Sequence, residues 1–154
     1  MRKWFFAVVA VLGFASIGSA QKFSIGGALN VSAGTGTGTA VEGSILLGVR
    51  DIARLLIVGV DARVEGNLAI GNGNTGFSVG AAALGTLNVG IVTAYAGPQV
   101  VYVLAPTVAD PLRFGAIIGA RYDLILGLSA FGEVNILFTN PVFWRLRVGA
   151  TFTL

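Results

Sequence analysis

The sequence predicts an all-β protein, an eight-stranded antiparallel up-and-down transmembrane β-barrel preceded by an N-terminal signal-peptide helix. Two observations carry this. The chain is 55% hydrophobic and only 11% charged, too few polar side chains to cover a water-facing surface of ordinary character. Beyond residue 20, apolar side chains recur at every second position in stretches about ten residues long, the period of a strand and the length of a tilted membrane strand.

Residues 1–20, MRKWFFAVVAVLGFASIGSA, read as a secretory signal. Arg2 and Lys3 form the basic start, Trp4 to Phe14 the apolar run, and Gly18-Ser19-Ala20 the small residues for cleavage before Gln21. The apolar run is short for a membrane span. Cleavage leaves one domain, 21–154, and takes the formal charge from +3 to +1, so the basic balance is partly a property of the leader. No basic patch with interleaved aromatics points to nucleic acid. The sequence contains neither Cys nor His. That excludes disulfides, thiolate metal sites and a Ser–His pair, and it removes the commonest transition-metal ligand. We expect no cofactor, no metal and no enzyme activity.

Seven strands follow from alternation. Phe23, Ile25, Leu29 and Val31 alternate with Ser24, Ala28 and Asn30, and Val41, Ile45, Leu47 and Val49 with Glu42, Ser44 and Arg50. Val58, Val60, Ala62 and Val64 alternate with Gly59, Asp61, Arg63 and Glu65, and Phe77, Val79 and Ala81 with Ser78, Gly80 and Ala82. Phe114, Ala116, Ile118, Ala120 and Tyr122 alternate with Arg113, Gly115, Ile117, Gly119 and Arg121. Leu128, Ala130, Val134 and Ile136 alternate with Ser129, Phe131, Glu133 and Asn135, and Trp144, Leu146, Val148, Ala150 and Phe152 with Arg145, Arg147, Gly149 and Thr151. An eighth strand falls between Ile91 and Leu104. Its facing is open, because Pro98 would interrupt a ladder and is expected to mark a bulge.

The charge-free stretch from Gly66 to Ala109 could pass for a membrane helix on hydropathy, but it is dense in glycine and β-branched residues. Lipid offers no hydrogen bonds, so a membrane sheet must close on itself. In a soluble barrel the apolar row would point inward. About thirty large apolar side chains would then crowd an eight-stranded interior. In a membrane barrel that row faces lipid, and the charged row fills the lumen. The expected lumen network is Glu42, Asp61, Arg63, Glu65, Arg113, Arg121, Glu133, Arg145 and Arg147, with Arg50 and Asp123 completing a nearly balanced set. The long arginines of the last strand should reach toward the space left by the small Ser78, Gly80 and Ala82 and pair with Glu42, Asp61, Glu65 or Glu133. Outward loops are expected at Ser32 to Thr39, Gly71 to Thr75, Ala105 to Pro111 and Thr139 to Val142, and periplasmic turns near Arg50 to Arg54, Thr86 to Gly90 and Asp123 to Gly127. SAGTGTGT resembles a phosphate-cradling loop only superficially, since no helix pattern and no Gly-Lys-Ser/Thr follows.

On the signal segment, the alternation, the ending RVGATFTL and the stretch GARYDLILGLSAFGEVN (residues 119–135), the chain resembles the small eight-stranded outer-membrane barrels of the OmpX and OmpA transmembrane-domain type. Such proteins often end on an aromatic residue, whereas this chain ends on Leu154 with Phe152 two positions earlier. The resemblance implies residence in the outer membrane of a diderm bacterium. It also implies contact with its lipid, delivery by the barrel-assembly machinery through the C-terminal strand, and a monomer. Three functions fit: a structural or interaction barrel with a plugged lumen, a narrow channel for ions or very small solutes, and a soluble secreted barrel binding an apolar ligand.

Overall fold

The computed structural model describes residues 21–34, 37–71 and 74–154. The signal segment expected over 1–20 lies outside the described residues. Eight strands follow one another: β1 (Lys22–Gly34), β2 (Thr37–Leu55), β3 (Val58–Gly71), β4 (Asn74–Val89), β5 (Val92–Ala105), β6 (Leu112–Asp123), β7 (Leu128–Leu137) and β8 (Phe143–Thr153). Each pairs antiparallel with its successor, and β1 pairs antiparallel with β8, so the sheet is a closed barrel. The β1–β8 ladder runs from Ser24↔Thr153 to Gly34↔Phe143. With an even number of strands, both ends of the described chain lie at one rim, called here the near rim.

The usual inside-out order of a globular domain is reversed. The exposed side chains are the apolar row, Ile25, Leu29, Ile45, Val64, Phe114 and Val148 among them. The buried ones are largely polar, including Asn30, Ser44, Glu65, Asn67, Glu133, Asn135, Arg145 and Arg147. Two small apolar clusters also lie inside, Ala28 with Leu46 and Phe131, and Leu84 with Tyr95 and Ile117.

Strand five resolves in the structure. Thr93, Tyr95, Gln99 and Val101 are buried in the lumen, while Ala94, Ala96, Pro98 and Tyr102 face out. The bulge expected at Pro98 is absent. Ala82↔Gln99 and Gly85↔Ala96 keep one register, and pairing merely lapses between them. A proline removes one donor without adding a residue, so the ladder loses a bond and keeps its count. A side chain on Gly97 would overlap the Ala83 carbonyl, so the strands run close here. The register shift of this pair lies further on, between Phe77↔Ala105 and Ser78↔Val103, where Leu104 is the additional residue.

The first near-rim turn also differs from expectation. Pairing of β2 with β3 continues past Arg54 to Leu55↔Val58, and the turn is Leu56–Ile57. The polar run at Arg50 to Arg54 marks an irregularity within β2, because the register shifts between Val49 and Ala53. Asp51 sits there at φ 55°, and its N–H donates to Asp61 Oδ1 at 2.9 Å. Asp tolerates the left-handed region better than most side chains do. The second turn is the two-residue Gly90–Ile91, with Gly90 at φ 64°, and the third spans 124–127. At the opposite, far rim, strand pairing extends through most of the loop expected at Ser32 to Thr39.

Candidate functional site

Among the described residues, buried polar side chains gather in the lumen, and their centre is Arg147. The alternation of β8 turns Arg147 inward, beside Asn30 on β1 and Glu133 on β7. It is fully buried, at 0% exposure. Its guanidinium straddles Glu65, with Nη1 donating to Oε2 at 2.6 Å and Nη2 to Oε1 at 3.1 Å. Nη1 also donates to Glu133 Oε1 at 2.9 Å, Nη2 to Asn67 Oδ1 at 3.0 Å, and Nε to Asn30 Oδ1 at 2.7 Å. These bonds use the full donor capacity of the planar fork.

Glu133 is shared. Arg63 from β3 grips it with Nη1 at 2.8 Å and Nη2 at 2.9 Å, Tyr95 donates its hydroxyl at 3.0 Å, and the Asn135 amide donates at 3.0 Å. Glu65 accepts further from the Asn67 amide and lies 3.5 Å from Arg63. A chain Asn30–Ser44–Asn67, at 2.7 and 2.6 Å, links the walls of β1, β2 and β3. The space for this comes from β4. Glu65 is opposite Gly80, where an added Cβ would come within 3.0 Å of Glu65 Cγ.

Toward the far rim, Arg145 pairs with Glu42 at 2.9 Å and lies 3.9 Å from Glu65. Toward the near rim, Arg121 meets Asp61 at 3.3 Å and Asp123 at 3.5 Å. Arg50 donates to Ser129 and Thr151 there and lies 3.9 Å from Asp123. A cavity of about 40 Å³ lies between this ring and the centre, lined by Arg50, Asp61, Arg63, Tyr95 and Arg121 among others.

The structure therefore gathers Arg63, Glu65, Glu133 and Arg147 into one cluster, sets Glu42 with Arg145 above it and Asp61 with Arg121 below it. Asp61 meets the arginine of β6 and not those of β8. Arg113 stands apart: it is half-buried on the lumen parity of β6, and no ion pair holds it among the described residues. The side chains that sequence reasoning did not single out are Asn30, Asn67, Asn135 and Tyr95. The asparagines share the parity of the charged residues, which was the available signal. Tyr95 lies on the strand whose facing the alternation left open. No group of three or more Asp and Glu side chains capable of holding a metal ion exists among the described residues. The arrangement can neutralise charge and fill space; each carboxylate of its central cluster is taken by arginine.

A small closed barrel, apolar outside and filled with paired charges inside, is the class that fold and lumen define. No protein-family model matches the chain, and no curated protein matches it. Solved structures do. The outer membrane enzyme PagL superposes with a TM-score of 0.68 at 12% identity, over 84% of this chain and 98% of that one. The outer membrane protein Ail of Yersinia pestis gives 0.56 at 9%, over 86% and 99%. A major outer membrane protein from Thermus thermophilus gives 0.54 at 15%, over 88% and 100%. At such identities the likeness is one of fold. At that level the resemblance to small eight-stranded outer-membrane barrels read from the sequence holds.

Proposed function

We propose that this chain is an integral outer-membrane barrel with a structural or interaction role in the envelope, its lumen closed to solutes by the arginine–carboxylate network. One observation carries the reading: Arg147 crosses the interior from β8 to Glu65 on β3 at zero exposure with all its donors used. A group this well bound does not move aside for passing ions, since unpairing it leaves buried charge uncompensated. The outward apolar row supports lipid as the surrounding solvent, because in water it would be a barrel-wide hydrophobic surface. A soluble barrel for an apolar ligand would need that row inside.

The reading extends to export by a cleaved leader, recognition of β8 by the assembly machinery, and a monomer. It includes no catalysis. PagL is described as an enzyme, but this sequence lacks His, and its central carboxylates are bound to arginine. The cavity of about 40 Å³ below the centre has room for a few waters and favours a narrow channel as the second reading. Planar-bilayer recording of the refolded protein separates the two. The structural reading expects current small or absent, and steady unitary conductance overturns it. Heat-modifiable gel migration of the membrane fraction tests the barrel itself.

A further inference from the structure

The described loops of the far rim expose both kinds of side chain, Thr107, Asp110 and Asn140 together with Phe138 and Val142. At the near rim all three turn tips are apolar. Leu56 is 84% exposed and Leu126 89% exposed, and Ile57, Ile91 and Ile125 are exposed beside them. Tight turns normally carry Gly, Asn, Asp or Ser at such places, so this composition is not demanded by the turns themselves.

The tips also lie beyond the aromatic residues of that end. Phe23, Tyr122 and Phe152 are exposed on the outer wall, at the level where such barrels carry the aromatic girdle that bounds the apolar band. Leu126 lies past Tyr122 along the chain, and Ile91 comes just before Val92, the partner of Tyr122. Past Phe23↔Val49, the β2–β3 hairpin runs on through Ala53↔Val60 and Leu55↔Val58 before it turns. The apolar wall therefore does not stop at its girdle; it continues over the rim. Among these tips stand two partly exposed cations. Lys22 and Arg54 both contact Asp51, at 4.0 and 3.7 Å. Their long stems can lie along apolar surface while the charged heads reach a phosphate layer.

We propose that the near rim is a membrane-contact surface: the three turn tips are immersed in the adjoining lipid leaflet, with Lys22 and Arg54 at its phosphates. The occupant is the bilayer, because the apolar surface of the tips is continuous with the lipid-facing wall. The proposal rests on the membrane reading above and goes beyond it, since a barrel could span the bilayer with these tips in water.

The absence of cysteine allows clean single-site labelling. Leu56→Cys, Leu126→Cys, Val148→Cys and Asn140→Cys would each carry an environment-sensitive fluorophore. The labelled proteins are refolded into phosphatidylethanolamine–phosphatidylglycerol vesicles with iodide on both faces, or with brominated lipid. The proposal expects the two tips to behave like Val148 on the wall, with iodide quenching several-fold below that at Asn140 and strong quenching by brominated lipid. Tips quenched by iodide as readily as Asn140, while Val148 stays lipid-quenched, overturn the proposal and leave the barrel reading standing; they would mean that the rim waits for a water-borne partner. Val148 quenched by iodide would overturn both.

Discussion

Replacing Arg147 by methionine isolates the central ion pair. The side-chain length is kept and the charge and donors are lost. The consequences for its two carboxylates differ. Glu133 keeps both bonds from Arg63, the Tyr95 hydroxyl and the Asn135 amide. Glu65 loses its two direct bonds and keeps the Asn67 amide at 3.2 Å, with Arg63 at 3.5 Å and Arg145 at 3.9 Å. The uncompensated charge therefore falls on Glu65. Removing one partner of a buried pair costs about 3–5 kcal/mol. Some relief comes from the two looser arginines, so we expect Arg147→Met to cost about 3–4 kcal/mol. Adding Glu65→Gln removes the stranded charge, and the double variant should regain about 2 kcal/mol relative to additivity. The assay is equilibrium urea unfolding in lipid vesicles, read by gel migration and by Trp144, the one tryptophan in 21–154. A cost below about 1 kcal/mol for Arg147→Met, or strict additivity of the pair, would refute the reasoning.

Other outcomes follow from the same geometry. Val148→Arg, on the outward face one residue away, should cost about 2–4 kcal/mol in vesicles if it lies near the midplane; in the same unfolding assay Arg147→Lys should cost less than Arg147→Met, because the charge stays and only the fork is lost. Equal tolerance at both positions would contradict the facing. Gly80→Leu places side-chain atoms where Glu65 Cγ lies 3.0 Å from an added Cβ, and should cost about 1–3 kcal/mol by overpacking in that titration. The double variant Arg147→Ala, Glu65→Ala should show unitary current in planar bilayers where the parent shows little or none; a silent double variant would mean that other side chains close the lumen.

Much of the barrel was legible because polarity alternated with the pleat. Glu42, Ser44 and Arg50 on one strand, or Arg145 and Arg147 on another, could share a face only if that face were the lumen. Strand five was not legible for a physical reason. The lumen wall around it is itself partly apolar, with Leu84, Val101 and Ile117 buried there, so both faces of the strand read alike. The near-rim turn was misplaced because Leu56 and Ile57 look like strand, while the polar Asp51 looks like a turn and lies at a register shift within β2. The choice of partners was beyond alternation. Parity says that Asp61 points inward; only closure of the sheet decides that it meets Arg121 and leaves Arg145 and Arg147 to Glu42, Glu65 and Glu133.

The bonds at the centre of the lumen join the beginning of the chain to its end. Arg147 reaches back 117 residues to Asn30 and 82 to Glu65, and Arg63 reaches forward 70 to Glu133. A hairpin of neighbouring strands makes only part of this network, Arg147 with Glu133 on β7 and β8. A barrel assembled strand by strand from β1 leaves Asp61 without Arg121, and Glu65 with only the Asn67 amide and the looser Arg63, until β6 and β8 bring their arginines. Closure of the barrel therefore depends on contacts of high sequence separation. The same dependence works in reverse. Parting the seam between β1 and β8 would strip Arg147 of Asn30 and Glu65 at once, so partly opened forms are disfavoured. The ion pairs in the interior thus act as a latch on the circle, fastening its last strand to its first three.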